Sequence, residues 1–109
     1  MKVLLSSVGN PDHRQDPNQP LFGSEPNKEV EVKDFIDAVI ECITFIHKND
    51  LGGGNWDGGD ITVSGKLVAY VSYNGRVWEV GESGKKYQNN QKEIEVDMDK
   101  VRKEVMKRF

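Results

Sequence analysis

The sequence feature that most constrains the fold is an Asn-Gly pair between two runs rich in valine and aromatic residues. Asn74-Gly75 separates Lys66 to Tyr73 from Arg76 to Val80. This arrangement is typical of a β-hairpin with a two-residue type I′ turn. An earlier run, Ile61 to Val63, is followed by a second turn signal at Ser64-Gly65. The segment from 61 to 80 therefore predicts an antiparallel meander.

A central helix is predicted from Phe35 to His47. Its apolar residues recur at the i, i+3, i+4 and i+7 spacing of an amphipathic helix, and they are Phe35, Ile36, Val39, Ile40, Ile43 and Ile46. Asp34 provides an N-cap, and Asn49 with the glycines from Gly52 ends the helix.

The first third of the chain predicts two strands separated by a long loop. The strands are Lys2 to Val8 and Glu29 to Val32. The loop, Gly9 to Asn27, holds all four prolines, and a loop of this length is either disordered or functional. Leu21 and Phe22 favour at least one anchor between this loop and the body of the protein.

The last third predicts a polar loop, a short strand and a helix. Gly81 to Gln91 is the loop, Ile94 and Val96 indicate the strand, and residues 97–109 form the helix, which starts at Asp97 or Asp99. Together these elements predict one α+β domain covering 1–109. In this domain a small antiparallel β-sheet packs with one central and one C-terminal helix.

Charge and composition narrow the possible partners. The net charge is -3, whereas a protein that binds duplex nucleic acid usually carries a basic stripe. The C-terminal cluster of basic residues is better explained as a solvated helix face. No apolar run reaches the ~20 residues of a membrane-spanning helix, and the apolar N-terminal stretch is too short for a signal peptide. We therefore expect a soluble cytoplasmic protein with no membrane or duplex partner.

The low apolar share of the sequence bears on its assembly. Hydrophobic residues make up 36% of the chain. A chain this short buries only about two-thirds of its unfolded surface. A thin core, long polar loops or oligomerisation would each account for this composition.

The predicted hairpin places an arginine among aromatic side chains. A two-residue turn makes Tyr73 and Arg76 cross-strand partners, so Val71, Tyr73, Arg76 and Trp78 would share one face of the sheet. This combination suits a nucleotide, because rings stack on a base and a guanidinium pairs with a pyrophosphate. The alternative, favoured by geometry alone, is that Arg76 lies over the two rings and covers the end of the core.

The segment from Gly52 to Gly59 contains five glycines around Asn55 and Trp56. Glycines allow backbone N–H groups to approach an anion closely, and Asn55 could then read a base edge or a ribose hydroxyl. The alternative is a long turn with Trp56 inserted into the core. The segment matches neither the phosphate-loop motif nor the dinucleotide-binding motif.

The residues that could support catalysis do not combine into a recognisable site. His13 and His47 have no cysteine or histidine at metal-ligand spacing. Cys42 is the only cysteine, which excludes an intrachain disulfide, and it is expected in the core. Asp57 and Asp60 could hold a cation or act as acid and base, but beside glycines they more often shape a turn. We therefore expect a binding protein with no catalytic residues, no metal and no cofactor.

Three parts of the sequence, in this order, carry a family resemblance: KVLLSSVGNPD (2–12) with QDPNQPL (15–21), NDLGGGNW (49–56) and SYNGRVW (72–78). Together they resemble the first described family of phage anti-Thoeris proteins. Those proteins sequester the cyclic ADP-ribose signals made by bacterial TIR-domain defence enzymes. The resemblance has gaps and does not extend beyond Gly81.

The resemblance implies a concrete function. Such proteins bind a glycocyclic ADP-ribose signal in the host bacterial cytoplasm without cleaving it, as dimers or larger oligomers with ligand pockets between subunits. Some members also bind cyclic di- or trinucleotides. Our site hypothesis assigns the phosphates to Arg76 and Arg102, the adenine to Trp78, Tyr73 or Trp56, and the hydroxyls or base edges to Asn55, Asn74 and Asn90.

Two other functions remain open. A phage or plasmid protein that blocks a host protein would present an exposed apolar patch. A small nucleotide-processing enzyme would need a carboxylate whose removal abolishes turnover but spares binding.

Overall fold

A six-stranded antiparallel sheet with two helices forms the protein, and the computed structural model describes residues 1–109. The strands are β1 (Lys2–Leu5), β2 (Lys28–Glu31), β3 (Gly59–Val63), β4 (Lys66–Val71), β5 (Val77–Glu79) and β6 (Glu93–Ile94). The helices are α1 (Phe35–Lys48) and α2 (Met98–Met106). The strand order is β2-β1-β3-β4-β5-β6, so β1 lies inside the sheet and β3 to β6 form a meander. The predicted α+β class, with one central and one C-terminal helix, is confirmed.

Helix α1 builds the core against one face of the sheet. It begins at the predicted cap, where the Asp34 carboxylate accepts a hydrogen bond from the backbone N of Asp37 at 2.8 Å. Its buried residues include Cys42, and α2 packs against α1 with Val101 fully buried. Burial raises the pKa of the Cys42 thiol well above its usual value, so this thiol stays protonated inside the core. Neither α1 nor α2 has the length and apolarity needed to cross a bilayer.

Apart from one 3-10 turn, Pro11–His13, the proline-rich segment 9–27 is irregular, as predicted, and hydrogen bonds connect it to the body of the protein. The backbone N of Glu25 donates to Asn49 Oδ1 at 2.8 Å, and Asn49 Nδ2 donates to the Glu25 carboxylate at 3.0 Å. Leu21 packs against the core, whereas Phe22 is fully exposed. Only the first of the two predicted anchor residues therefore acts as an anchor.

Strand β1 ends at Leu5 rather than at the predicted Val8. Beyond Leu5 a side chain replaces a neighbouring strand as hydrogen-bond partner, because the backbone N of Ser7 donates to Asn27 Oδ1 at 3.0 Å. Ser7 is fully buried, so the chain continues through the interior without extending the sheet.

The β4–β5 hairpin differs in register from the predicted hairpin. Val71 pairs with Val77, and the backbone N of Ser72 donates to the carbonyl oxygen of Arg76 at 2.8 Å. The loop therefore has three residues, 73–75. Gly75 closes it with a φ of 85°, and its backbone N donates to the carbonyl oxygen of Ser72 at 2.9 Å. This is the three-residue hairpin loop that ends on a left-handed glycine.

The changed register corrects the predicted arrangement of side chains. A one-residue slip moves every side chain of a strand to the opposite face. Arg76 and Trp78 lie with Tyr70 on the outer face, the face of the sheet away from the helices, while Val77 faces the core. Tyr73 belongs to the loop, so the prediction that it is the cross-strand partner of Arg76 is wrong.

Candidate functional site

A groove between the β4–β5 loop, β6 and the start of α2 brings three predicted site residues together. It has a volume of about 510 Å³ and is lined by Asn74, Gly75, Arg76, Glu93, Met98 and Arg102, with Glu95 and Val96. We call it the arginine groove. Of the predicted residues, Asn74, Arg76 and Arg102 meet here.

Strand pairing and a helix cap position the two arginines. Arg76 precedes β5, which pairs with β6 so that Trp78 lies opposite Glu93. The chain then enters α2 at Asp97, whose carboxylate accepts hydrogen bonds from two backbone N–H groups of the first turn at 3.1 and 3.2 Å. Arg102 lies on this helix, which faces β6 across the groove.

The ion pairs in and beside the groove are weak enough to be exchanged for a ligand. Arg76 Nε lies 3.9 Å from Glu93 Oε2, and Arg102 Nη1 lies 3.1 Å from Asp99 Oδ1. Both arginine side chains are exposed, and exposed pairs contribute only about 0–1 kcal/mol. A guanidinium has five N–H donors, so each arginine keeps donors for an anion. The carboxylates of Glu93 and Glu95 limit this capacity by adding negative charge to the groove.

A second pocket adjoins the arginine groove. It has a volume of about 350 Å³ and is lined by Gly53, Trp56, Ser72, Tyr73, Asn74 and Tyr87. We call it the aromatic pocket. Asn74 lines both cavities, so they meet at the tip of the β4–β5 hairpin.

Trp56 is a core residue that also contributes to the lining of the aromatic pocket. It is 6% exposed, and its Nε1 donates to the carbonyl oxygen of Val71 at 2.9 Å. The ring also lies against Phe45, with centroids 6.3 Å apart. The alternative that inserts Trp56 into the core is therefore confirmed, and its indole N–H is already paired.

Hydrogen bonds of the Asn55 side chain connect the glycine-rich turn to the proline-rich segment. Its Nδ2 donates to the carbonyl oxygen of Val8 at 3.0 Å and to Gln15 Oε1 at 2.9 Å. Its Oδ1 accepts from the backbone N of Gly52 at 3.2 Å. The buried amide thus has its polar atoms paired within the protein, and the structure gives Asn55 a structural role in place of the predicted ligand contact.

The remaining predicted residues lie apart from the two cavities. Trp78 is half-buried on the outer face of the sheet, opposite Tyr70. Asn90 is exposed in the polar loop and lines a separate groove beside Glu82.

Sequence reasoning missed Tyr87, which forms part of the aromatic pocket. Its ring packs against Tyr70 on the outer face, with centroids 4.9 Å apart, and its backbone N donates to Tyr70 Oη at 3.2 Å. Tyr70 Oη in turn donates to Gln91 Oε1 at 2.6 Å. The available signal was a single aromatic residue in the otherwise polar segment 81–91.

Lys86 holds the same loop against the sheet. Its Nζ lies 2.8 Å from Asp60 Oδ1 and donates to the carbonyl oxygen of Asp57 at 2.7 Å. Partial burial acts to lower the pKa of Lys86, but the hydrogen bond and negative charge of Asp60 outweigh it and raise the pKa. Asp60 is thus paired with a cation of the protein, and no cluster of three or more His, Cys, Asp or Glu residues has metal-binding geometry.

No protein-family model, curated protein or solved structure matches this chain significantly. The chemistry of the site therefore follows from its own groups. The arginine groove offers two guanidinium groups and an exposed amide, and the aromatic pocket offers two exposed phenol rings. Guanidinium groups bind phosphates, and aromatic rings bind planar apolar groups.

Proposed function

We propose that this protein binds a cyclic ADP-ribose-type signalling nucleotide without cleaving it, and so inhibits bacterial anti-phage defence in the host cytoplasm. The observation that carries the proposal is the meeting of Arg76 and Arg102 in one groove that adjoins an aromatic pocket. A ligand of this class carries a pyrophosphate, ribose hydroxyls and adenine. Cyclic di- and trinucleotides carry related groups and are the second ligand class to test.

The pyrophosphate is assigned to the two arginines. Guanidinium groups form paired, charge-assisted hydrogen bonds to phosphate oxygens. The competing pairs with Glu93 and Asp99 are exposed and weak. Asn74 at the junction supplies an amide that can donate to and accept from ribose hydroxyls.

The size of the arginine groove suits this ligand. Small-molecule pockets have volumes of about 300–1,000 Å³, and the arginine groove has about 510 Å³. The groove is open, whereas sequestration requires that the ligand be enclosed. We propose that a second copy of the chain provides this enclosure. Met106, the last residue of the helix that carries Arg102, and Phe109, three residues beyond it, have exposed apolar side chains available for such contact.

Isothermal titration with glycocyclic ADP-ribose tests the proposal. We expect tight binding, followed by recovery of the intact ligand after heat denaturation and its identification by mass. Arg76→Ala should weaken binding about 10- to 100-fold, as expected for loss of a hydrogen bond between charged groups. Arg14→Ala is the matched control, because Arg14 is exposed and lines neither cavity.

Three results would count against the proposal. An absence of heat, together with no ligand recovered from the protein after denaturation, would exclude the ligand. Equal affinities of Arg76→Ala and the wild type would exclude the phosphate assignment. Recovery of a cleaved product would identify an enzyme.

A second function is favoured by one observation: the fully exposed ring of Phe22 lies with Pro20 and Leu21 in the lining of a cavity of about 630 Å³. An inhibitor that binds a host protein directly needs an apolar side chain presented to solvent. In that case a host protein would co-purify with the wild type and with Arg76→Ala, and Phe22→Ser would abolish its capture. Co-purification that is unaffected by Phe22→Ser would exclude this patch.

A further inference from the structure

The aromatic pocket presents two phenol rings that are held in place and yet remain exposed. Tyr73 is 45% exposed and Tyr87 is 60% exposed. Single exposed aromatic residues are common on protein surfaces. Two of them lining one cavity beside a basic groove form an arrangement that fits a ligand with a planar ring and a phosphate.

Tyr73 is fixed by its own hydroxyl group, which donates to the carbonyl oxygen of Leu51 at 3.0 Å. Gly53 lines the same pocket, and a Cβ at that position would lie 3.8 Å from Tyr73 Cδ1. The glycine therefore leaves this part of the ring uncovered. The result is an apolar surface whose orientation is set before any ligand binds.

Tyr87 is fixed by its backbone and by the residue that precedes it. Its φ is 60°, a left-handed conformation that is uncommon for an aromatic residue. The Tyr70 contact and the Lys86–Asp60 ion pair hold the segment in this conformation. Partial burial raises the pKa of Tyr87 despite the nearby Lys86 charge, so the phenol is neutral at physiological pH.

Fixed rings bind a planar group at low cost in entropy. Ordering a mobile side chain on binding costs about 0.5–1.5 kcal/mol, and Tyr73 and Tyr87 have both been ordered by the fold. Aromatic side chains that stack on a nucleobase are largely insensitive to which base they meet, because every base has a π-face. The pocket volume of about 350 Å³ lies within the range for small-molecule sites.

From this geometry we infer that the aromatic pocket is a nucleobase subsite, in which the base of a nucleoside diphosphate packs against Tyr87 and Tyr73. The diphosphate of the same ligand lies in the arginine groove, and the part of the ligand that links base and diphosphate passes Asn74, which lines both cavities. This inference rests on the proposed function for the identity of the ligand. It adds the place where the base binds, the aromatic pocket, and a recognition residue that the sequence did not reveal, Tyr87.

Variants at Tyr87 distinguish the contribution of the base to the binding affinity from that of the phosphates. Tyr87→Leu removes the ring but keeps an apolar side chain, and Tyr87→Phe keeps the ring. The probes are glycocyclic ADP-ribose, linear ADP-ribose and inorganic pyrophosphate, which has no base. We expect Tyr87→Leu to bind both base-containing probes about 5- to 150-fold more weakly than the wild type does, and to bind pyrophosphate with unchanged affinity. We expect Tyr87→Phe to bind all three probes like the wild type. Phe22→Leu is the control, since it alters an exposed aromatic residue outside both cavities.

A second readout does not depend on the folding of a Tyr87 variant. In Trp78→Phe the only remaining tryptophan is Trp56, a residue that lines the pocket. Linear ADP-ribose should change the Trp56 emission, whereas pyrophosphate should not. An emission that responds equally to both probes, or to neither, would overturn the inference.

The outcomes distinguish this inference from the proposed function. If glycocyclic ADP-ribose binds equally well to the wild type and Tyr87→Leu, the proposed function stands and the base subsite is wrong. If only linear ADP-ribose binds, and its binding depends on the Tyr87 ring, the subsite stands and the cyclic signal is not the ligand. If neither nucleotide binds, both proposals are wrong.

Discussion

Replacing Asn55 by alanine should destabilise the protein by about 2 kcal/mol, whereas replacing Asn74 should cost less than about 1 kcal/mol. The two asparagines were predicted as equivalent ligand contacts, and the structure separates them. Asn55 makes three hydrogen bonds from a buried position. Asn74 is exposed, and its side chain bonds only Ser72 Oγ.

The magnitude follows from these contacts. A hydrogen bond contributes about 0.5–1.5 kcal/mol net. Gly52 is an exposed residue, so its backbone N–H can bind water once the Asn55 side chain is removed. Only the hydrogen bonds to Val8 and Gln15 are then lost without replacement. Two such bonds give about 2 kcal/mol, which lowers the melting temperature of a domain of this size by about 8 °C.

The assay combines thermal unfolding followed by circular dichroism with titration of glycocyclic ADP-ribose below the melting transition. Asn55→Ala should melt early and bind with wild-type affinity. Asn74→Ala should melt near the wild-type temperature and bind about 5- to 10-fold more weakly, as expected for one lost hydrogen bond. The opposite pattern, with a stable Asn55→Ala that has lost the ligand, would refute both assignments.

Two further predictions concern the core and acid stability. Gly59→Ala places a Cβ 2.5 Å from Cys42 Sγ, so it should cost about 1–3 kcal/mol by overpacking. In a Cys42→Ala background the cost of Gly59→Ala should fall by about 1 kcal/mol or more. Urea unfolding of the two single variants and the double variant measures this difference. If the two single costs simply add in the double variant, the packing of α1 on β3 described above is contradicted. The pKa of Glu25 is lowered, chiefly by its hydrogen bond from Asn49, with a contribution from Lys48. Its stabilising effect is therefore present above the ordinary carboxyl pKa and is lost as the pH falls through the lowered pKa. Glu25→Gln should lower stability at pH 7 but not at pH 2, and a difference that persists at pH 2 would rule out this linkage.

The elements predicted correctly from sequence are those specified by local signals. Helix α1 has both an apolar period and the Asp34 cap within a few residues of its start. The Ser64-Gly65 turn and the strands on either side of it are specified in the same way. Such signals need no knowledge of distant parts of the chain.

The β4–β5 register could not be predicted, because an Asn-Gly pair fits two kinds of hairpin loop. The choice between them involves a tertiary contact at Gly75. A Cβ at that position would lie 3.1 Å from Ile43 Cδ1 and 3.4 Å from Met98 Cε. The glycine is thus packed against residues of both helices. This constraint comes from residues distant in sequence, so the residues next to Gly75 could not reveal it.

Several residues of the candidate site could be predicted from the sequence, but their arrangement in space could not. Arg76 and Arg102 were both assigned to phosphates, yet their shared groove depends on the pairing of β6 with β5 and on the direction in which α2 leaves the sheet. Asn55 and Trp56 were assigned to the ligand because of their glycine neighbours. Three of those glycines serve close packing instead: a Cβ would lie under 3 Å from the side chain of Asn10 at Gly54, of Tyr87 at Gly58 and of Cys42 at Gly59.

The interior position of β1 means that this strand gains its second neighbour only after β3 has been synthesised. Lys2 pairs with Glu31 on one side and with Thr62 on the other. During synthesis β1 can join β2 early, but its second edge stays unpaired until β3 has left the ribosome. Pairings between residues so far apart in sequence are associated with slow folding. A nascent chain therefore passes through a stage in which β1, an interior strand of the finished sheet, is an open edge, and that stage exposes the chain to pairing with other chains.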